Sequence, residues 1–216
     1  MNNDERQSHL ESHASDSQTL IVVEERDSLA VIRLNRPTER NPLSISTLEE
    51  LDAVVSALST RVDLRALIFT GMGDVFASGA NIRELQLLTH NTAHEFARRG
   101  QRLMQKIADA PQLTIAAING YCMGGGLDLA LACDLRVASP RATFAHPGAR
   151  LGIITGWGGT QRLPRLIGVT RALELFATAR RLTSDEAFEI GLVNRIGDHA
   201  LECALELARA SLPSSR

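Results

Sequence analysis

The sequence predicts one α/β domain built on a largely parallel sheet, and three observations carry that expectation. Short runs of Val, Ile, Leu and Ala that suit buried strands recur at 29–35, 64–70, 114–118 and 135–138. Between them stand segments with helical spacing, and strand–helix–strand alternation implies right-handed crossovers that leave the strands parallel. The chain of 216 residues, 44% hydrophobic and 22% charged, has the length and composition of one domain with a sizeable core.

Each element has its own reason. Thr19 to Glu24 and Leu29 to Asn35 are apolar, β-branched segments separated by the polar Glu25-Arg26-Asp27-Ser28, which reads as an antiparallel hairpin. Arg36-Pro37 ends the second strand. After Pro42 the segment Ser46 to Leu58 carries Leu48, Leu51, Val54, Val55 and Leu58 at helical spacing, with Ser46 as the expected N-cap. Leu64 to Thr70 is a continuous apolar run that ends at Gly71-Met72-Gly73-Asp74, the pattern of a buried strand followed by a loop. Ala93 to Ala108 is helical, Thr114 to Ile118 a buried strand, Gly126 to Cys133 helical and Leu135 to Ala138 a strand. From Gly156 onward the pattern turns helical, through Arg171 to Ala179 and Ser184 to Ile190, with a short extended piece at Leu192 to Arg195 and a last helix at Ala200 to Ala210.

Composition excludes several functional classes. A net charge of -2 supplies no positively charged groove for nucleic acid, so the expected partner is a small molecule. Cys122, Cys133 and Cys203 are odd in number and widely spaced, which argues against a disulfide framework or zinc site and for a reducing cytoplasm. Residues 1–18 are polar and lack an apolar core, so they are expected to form a disordered tail ahead of a domain at 19–216. No apolar run reaches the roughly 20 residues that a membrane span needs. Lys106 is the only lysine, a bias to which no function is attached.

The chemistry concentrates in two loops. Thr114 to Asp128 runs from a buried strand through Asn119-Gly120 into Gly124-Gly125-Gly126, where a helix opens. First-turn amides have no intrahelical acceptor, and the helix dipole places about half a positive charge there, so an oxyanion would be stabilised. Tight helix-on-strand packing or a plain turn explains a bare glycine triplet equally well. A dinucleotide fingerprint would want glycine where Leu129 stands, and no lysine lies near for a phosphate-cradling loop. The second loop, Val75 to Leu85, passes from a strand end through Ala77-Ser78-Gly79-Ala80 into another helix start, and its amides could supply a second donor.

These two segments, with Gly156 to Leu163 and Thr183 to Ala187 before Gly191-Leu192-Val193, resemble in order and spacing the enoyl-CoA hydratase/isomerase (crotonase) family, from about Thr19 to Ala210. The resemblance implies an α/β, crotonase-like (ClpP/crotonase) spiral of ββα units with a helical C-terminal part. It implies an acyl-CoA thioester as ligand, its carbonyl held between the backbone amides of Ala80 and Gly125. The stretch Ser78, Gly79, Ala80, Asn81 and Ile82 would line the CoA site, as would Gly124 and, more loosely, Pro42. CoA is part of the substrate and no separate cofactor is implied; a homotrimer or hexamer is the family's usual assembly. The expected activity is hydration or isomerisation of an enoyl-CoA in fatty-acid or related acyl-CoA metabolism.

The chain departs from the family pattern at both acid positions. Typical hydratases carry one glutamate after the glycine triplet and a second after the next strand; here these positions are Asp128 and Gly148. Asp128 could act as general base or could merely complement the helix dipole. Gly148 has nothing to titrate, as in naphthoate synthases of the family, where bound bicarbonate stands in. The additional aspartate of dienoyl-CoA isomerases would fall on Gly156. His146, two residues before Gly148, is a candidate proton relay or an ordinary structural histidine. Trp157 reads as packing rather than pocket lining, and Glu84 and Glu95 as members of a solvated face. The helical end is shorter than is usual in the family. An alternative is therefore a catalytically impaired acyl-CoA-binding or scaffold protein on the same fold, whereas peptidase chemistry lacks a serine beside Gly125.

Overall fold

The computed structural model describes residues 19–211; the expected tail, 1–18, lies outside them. The chain opens with the antiparallel hairpin of β1 (Ile21–Arg26) and β2 (Leu29–Leu34), then passes a 3-10 turn and β3 (Pro42–Leu43) into α1 (Ile45–Ser59). There follow β4 (Ala66–Gly71), β5 (Val75–Ala77), β6 (Gly79–Ala80), α2 (Ile82–Gln86) and the long α3 (His90–Ala108). The next turn is β7 (Leu113–Ile118), β8 (Tyr121–Met123) and α4 (Gly125–Ala132); the next is β9 (Leu135–Ala138), β10 (Thr143–Ala145), a 3-10 turn at Pro147–Leu151 and α5 (Gly159–Ile167). The chain closes with α6 (Val169–Thr178), β11 (Leu182–Thr183), α7 (Ser184–Glu189), β12 (Arg195–Ile196) and α8 (Ala200–Ala210).

The strands sort into a six-stranded sheet ordered β1-β2-β4-β7-β9-β12, a four-stranded sheet ordered β11-β10-β8-β5 and the parallel pair β3-β6. In each ββα turn the first strand (β4, β7, β9) joins the larger sheet and the second (β5, β8, β10) joins the smaller. The expected spiral is therefore the observed architecture. Pairing is parallel from β2 to β12, as the alternation required.

The central strands are apolar throughout because both faces are covered. Ala30, Ile32 and Leu34 of β2 enter the main core with Leu67, Phe69, Phe76 and Phe144, while Leu29 and Val31 face the other way, into a second cluster with Ile68, Ile115, Val137 and Leu205. That second cluster is closed by α8, which lays Ala200, Ala204 and Ala208 flat on the sheet. At about 25 cal/mol per Å² of apolar surface, this two-sided burial is the main stabilising contribution.

Two local expectations change. Ser44, not Ser46, caps α1: its hydroxyl accepts from the Thr47 amide at 3.2 Å, and the helix begins at Ile45, ahead of where a cap at Ser46 would start it. Glu84 is not confined to a solvated face, since its Oε2 accepts from the Ile45 amide at 2.9 Å and so serves the same helix end. Glu95 pairs at the surface with Arg102, as a solvated residue would. Lys106 on α3 donates to Asp52 at 2.7 Å and to Ser56 at 2.6 Å on α1, pinning the two helices together. Among the described residues no helix is long and apolar enough to cross a membrane.

Candidate active site

The glycine triplet is constrained at each position. Gly124 has φ 52° and ψ -118°, a conformation that side chains disfavour, and it turns β8 into α4 while its amide donates to Ala145 at 2.8 Å. A Cβ on Gly125 would run into the Trp157 ring, and one on Gly126 would stand 2.7 Å from the Ala77 Cβ. Tight packing and a helix start that lines a cavity are thus not alternatives here: the packing is what sets the start of α4. Gly79, with φ 97°, lies against the same turn, where an added Cβ would sit 3.1 Å from the Gly125 nitrogen. The two loops singled out by sequence meet at this point.

They form one end of a cavity of about 250 Å³. Ser78, Gly79, Ala80, Ile82, Gly124, Gly125, Asp128 and Gly148 all line it. Pro42 and Asn81 are not on its wall. Pro42 is buried in β3 and pairs with Gly79, backing the loop from behind, and the Asn81 side chain accepts from the Arg83 amide as the N-cap of α2. The opposite wall is apolar, from Leu85 and Phe96 across to Leu151, Ile153 and Ile154, the last three exposed to solvent. Trp157 does more than pack: its buried ring supports Gly125, stands 5.5 Å from Phe96 and faces the cavity.

Asp128, one turn into α4, is fully buried. Its Oδ2 accepts from the Thr155 hydroxyl, whereas Oδ1 has no hydrogen-bond partner among the described residues. Burial pushes its pKa up to about 7; the Thr155 hydrogen bond, the charge of Arg162 and the nearby amides of Trp157 and Gly159 pull the other way. Neither amide reaches full hydrogen-bond geometry. His146, also buried, places Nε2 3.7 Å from Oδ1 of Asp128, and neither ring nitrogen has a partner among the described residues. Desolvation lowers its pKa to about 4, so at neutral pH it is an uncharged imidazole. Its ring rests against Phe176 of α6, with centroids 5.1 Å apart.

Gly148 faces the same cavity, and its lack of a side chain is built into the loop. A Cβ there would stand 2.5 Å from the Ile153 carbonyl oxygen, so the segment after the 3-10 turn closes over the place where a second acid would project. Gly156 differs: an added Cβ would meet only the Ala97 Cβ, at 3.8 Å. Thr155 and the apolar wall were not marked by the sequence reading. A threonine among glycines carries no periodic or motif signal; only the fold brings it to Asp128.

The family model described as enoyl-CoA hydratase/isomerase matches residues 24–214. Over 177 residues, 82% of this chain, the sequence is 44% identical to a crotonyl-CoA hydratase of Syntrophomonas wolfei and 38% identical to a short-chain-enoyl-CoA hydratase of Clostridium acetobutylicum, covering 68% of each relative. The crystal structure of an enoyl-CoA hydratase from Bacillus anthracis superposes with a TM-score of 0.85 at 39% identity, over 89% of this chain and 76% of that one.

Proposed function

The chain belongs to the enoyl-CoA hydratase/isomerase family, and from that premise we propose that it adds water to a short 2-enoyl-CoA, with Asp128 as the group that moves the proton. The observation that carries this reading is the meeting of a buried, protonatable carboxylate and the N-terminus of α4 in one apolar cavity. The thioester oxygen lies between the amides of Ala80 and Gly125. Each preorganised donor of this kind contributes roughly 3 to 4 kcal/mol to the transition state, because it meets charge that develops only there. Near neutrality a carboxyl with pKa about 7 is populated as both base and acid, so the same group can take a proton and return it. This chemistry uses CoA as part of the substrate and needs no redox group.

A second reading, migration of the double bond, is favoured by Gly148: a 1,3-proton shift needs only one carboxylate, and among the described residues Asp128 is the one that lines the cavity. Purified protein mixed with crotonyl-CoA separates the two. Loss of the conjugated enone absorbance, abolished by Asp128→Asn, supports hydration. Unchanged absorbance, with a 3-enoyl-CoA converted to the conjugated isomer, replaces hydration with migration. Saturable binding of acyl-CoA with neither reaction replaces both with a binding protein.

A further inference from the structure

Asp128 does not face the cavity alone, and what stands beside it bears on how water is held. Oδ1 of Asp128 and both nitrogens of His146 are buried polar atoms without partners among the described residues, and leaving a buried polar atom unpaired is costly. The Nε2 to Oδ1 separation of 3.7 Å is too long for a direct hydrogen bond and short enough for one small polar molecule, set to the side, to touch both. Both residues line the cavity, on the side where Gly148 offers no functional group. Thr155 already occupies Oδ2, and Phe176 fixes the imidazole ring, so the free atoms point at a defined place.

We propose that Oδ1 of Asp128 and Nε2 of His146 together hold the water that is added to the substrate, His146 orienting it from beside the carboxylate. The inference rests on the hydration reading above and names the second residue that reading requires. In the step, Asp128 takes one proton from the water as the oxygen bonds to the β-carbon. The electrons of the double bond move onto the thioester oxygen. The proton on Asp128 then passes to the α-carbon, which restores the carboxylate and leaves one water added across the bond. His146 stays neutral throughout; a neutral imidazole has either a lone pair or an N–H at Nε2, and each can bind water.

Two assays separate this role from a structural one. Hydration of crotonyl-CoA needs a placed water, whereas exchange of the α-protons of saturated butyryl-CoA with deuterium oxide, followed by NMR, needs only the base and the oxyanion donors. His146→Phe keeps a ring against Phe176 and removes both nitrogens; His146→Ala is read in parallel in case the larger ring unfolds the protein, and His146→Gln returns a donor and an acceptor. The expected result is a fall in hydration kcat of about 10²-fold in Phe and Ala, with KM and α-exchange close to native and partial rescue in Gln. Unchanged hydration in the Phe or Ala variant overturns the role of His146 and leaves the hydration reading intact, and a parallel fall of hydration and exchange reduces His146 to packing. Native protein that exchanges α-protons but does not hydrate overturns the hydration reading, and this inference with it.

Discussion

The Thr155 hydroxyl donates to Oδ2 of Asp128 and so ties the loop ahead of α5 to the acid on α4. Because that bond stabilises the charged carboxylate, Thr155→Val should move the Asp128 pKa above its value of about 7. The acidic limb of the kcat/KM–pH profile for crotonyl-CoA is expected to shift toward higher pH, with activity at pH 9 much less affected than at pH 7. A profile that keeps its native midpoint would remove Thr155 from the site's electrostatics.

Stability should vary with pH through two opposed groups. Asp128 is raised from 3.8 to about 7, so the folded state binds the extra proton in that window, and its contribution is present at low pH and lost as pH rises through 7. His146 is depressed from 6.5 to about 4, so its contribution is present above 6.5 and lost as pH falls through 4. Between about pH 4 and 6.5 the two slopes nearly cancel in the native chain. Denaturant unfolding of Asp128→Asn should expose the histidine slope, stability rising by roughly 3 kcal/mol from pH 4 to 6.5, and His146→Phe the opposite slope of similar size. Equal, flat profiles in both variants would contradict the burial assigned to these groups.

Restoring an acid at the two glycines should give unequal results. Gly148→Glu must displace the Ile153 backbone and is expected to lose about 1–3 kcal/mol of stability without gaining hydration. Gly156→Asp has ordinary van der Waals room and should melt close to the native chain. Thermal melts of the pair check the contrast.

At the start of α1, Ser44→Ala should cost about 1 kcal/mol and Ser46→Ala clearly less, because the Thr47 amide bonds to the Ser44 hydroxyl. Midpoints of urea unfolding read the difference.

That cap also shows where the sequence was legible. The long strands β2, β4 and β7 and helices α1 and α3 follow from apolar runs and spacing, because their burial repeats over several residues. The second strand of each turn, β5, β8 or β10, has three residues and cannot display a period, so the smaller sheet was invisible until the resemblance supplied the spiral. Ser44 and Ser46 are interchangeable by type, and only the position of the preceding β3 decides between them. In the site, the glycine-rich helix start at Gly124 to Gly126 is a local pattern, whereas the roles expected of Ala80, Gly125 and Asp128 came from the resemblance; the fold brings all three to one cavity. The partnership of Asp128 with Thr155 and His146 joins residues 27 and 18 positions apart in sequence, and nothing short of the fold brings them together.

The Lys106 link between α3 and α1 has a further chemical consequence. Acyl thioesters transfer their acyl groups to free amines, and the surface of a protein that binds them is exposed to that side reaction. This chain has a single ε-amine, and it is engaged by Asp52 and Ser56; the other 22 basic side chains of the Lys and Arg total of 23 are guanidiniums, whose protonation keeps them poor nucleophiles. On the proposed function, the ion pair with Asp52 keeps this amine protonated and a poor acyl acceptor, and incubation with excess crotonyl-CoA followed by peptide mass mapping should find Lys106 largely unmodified.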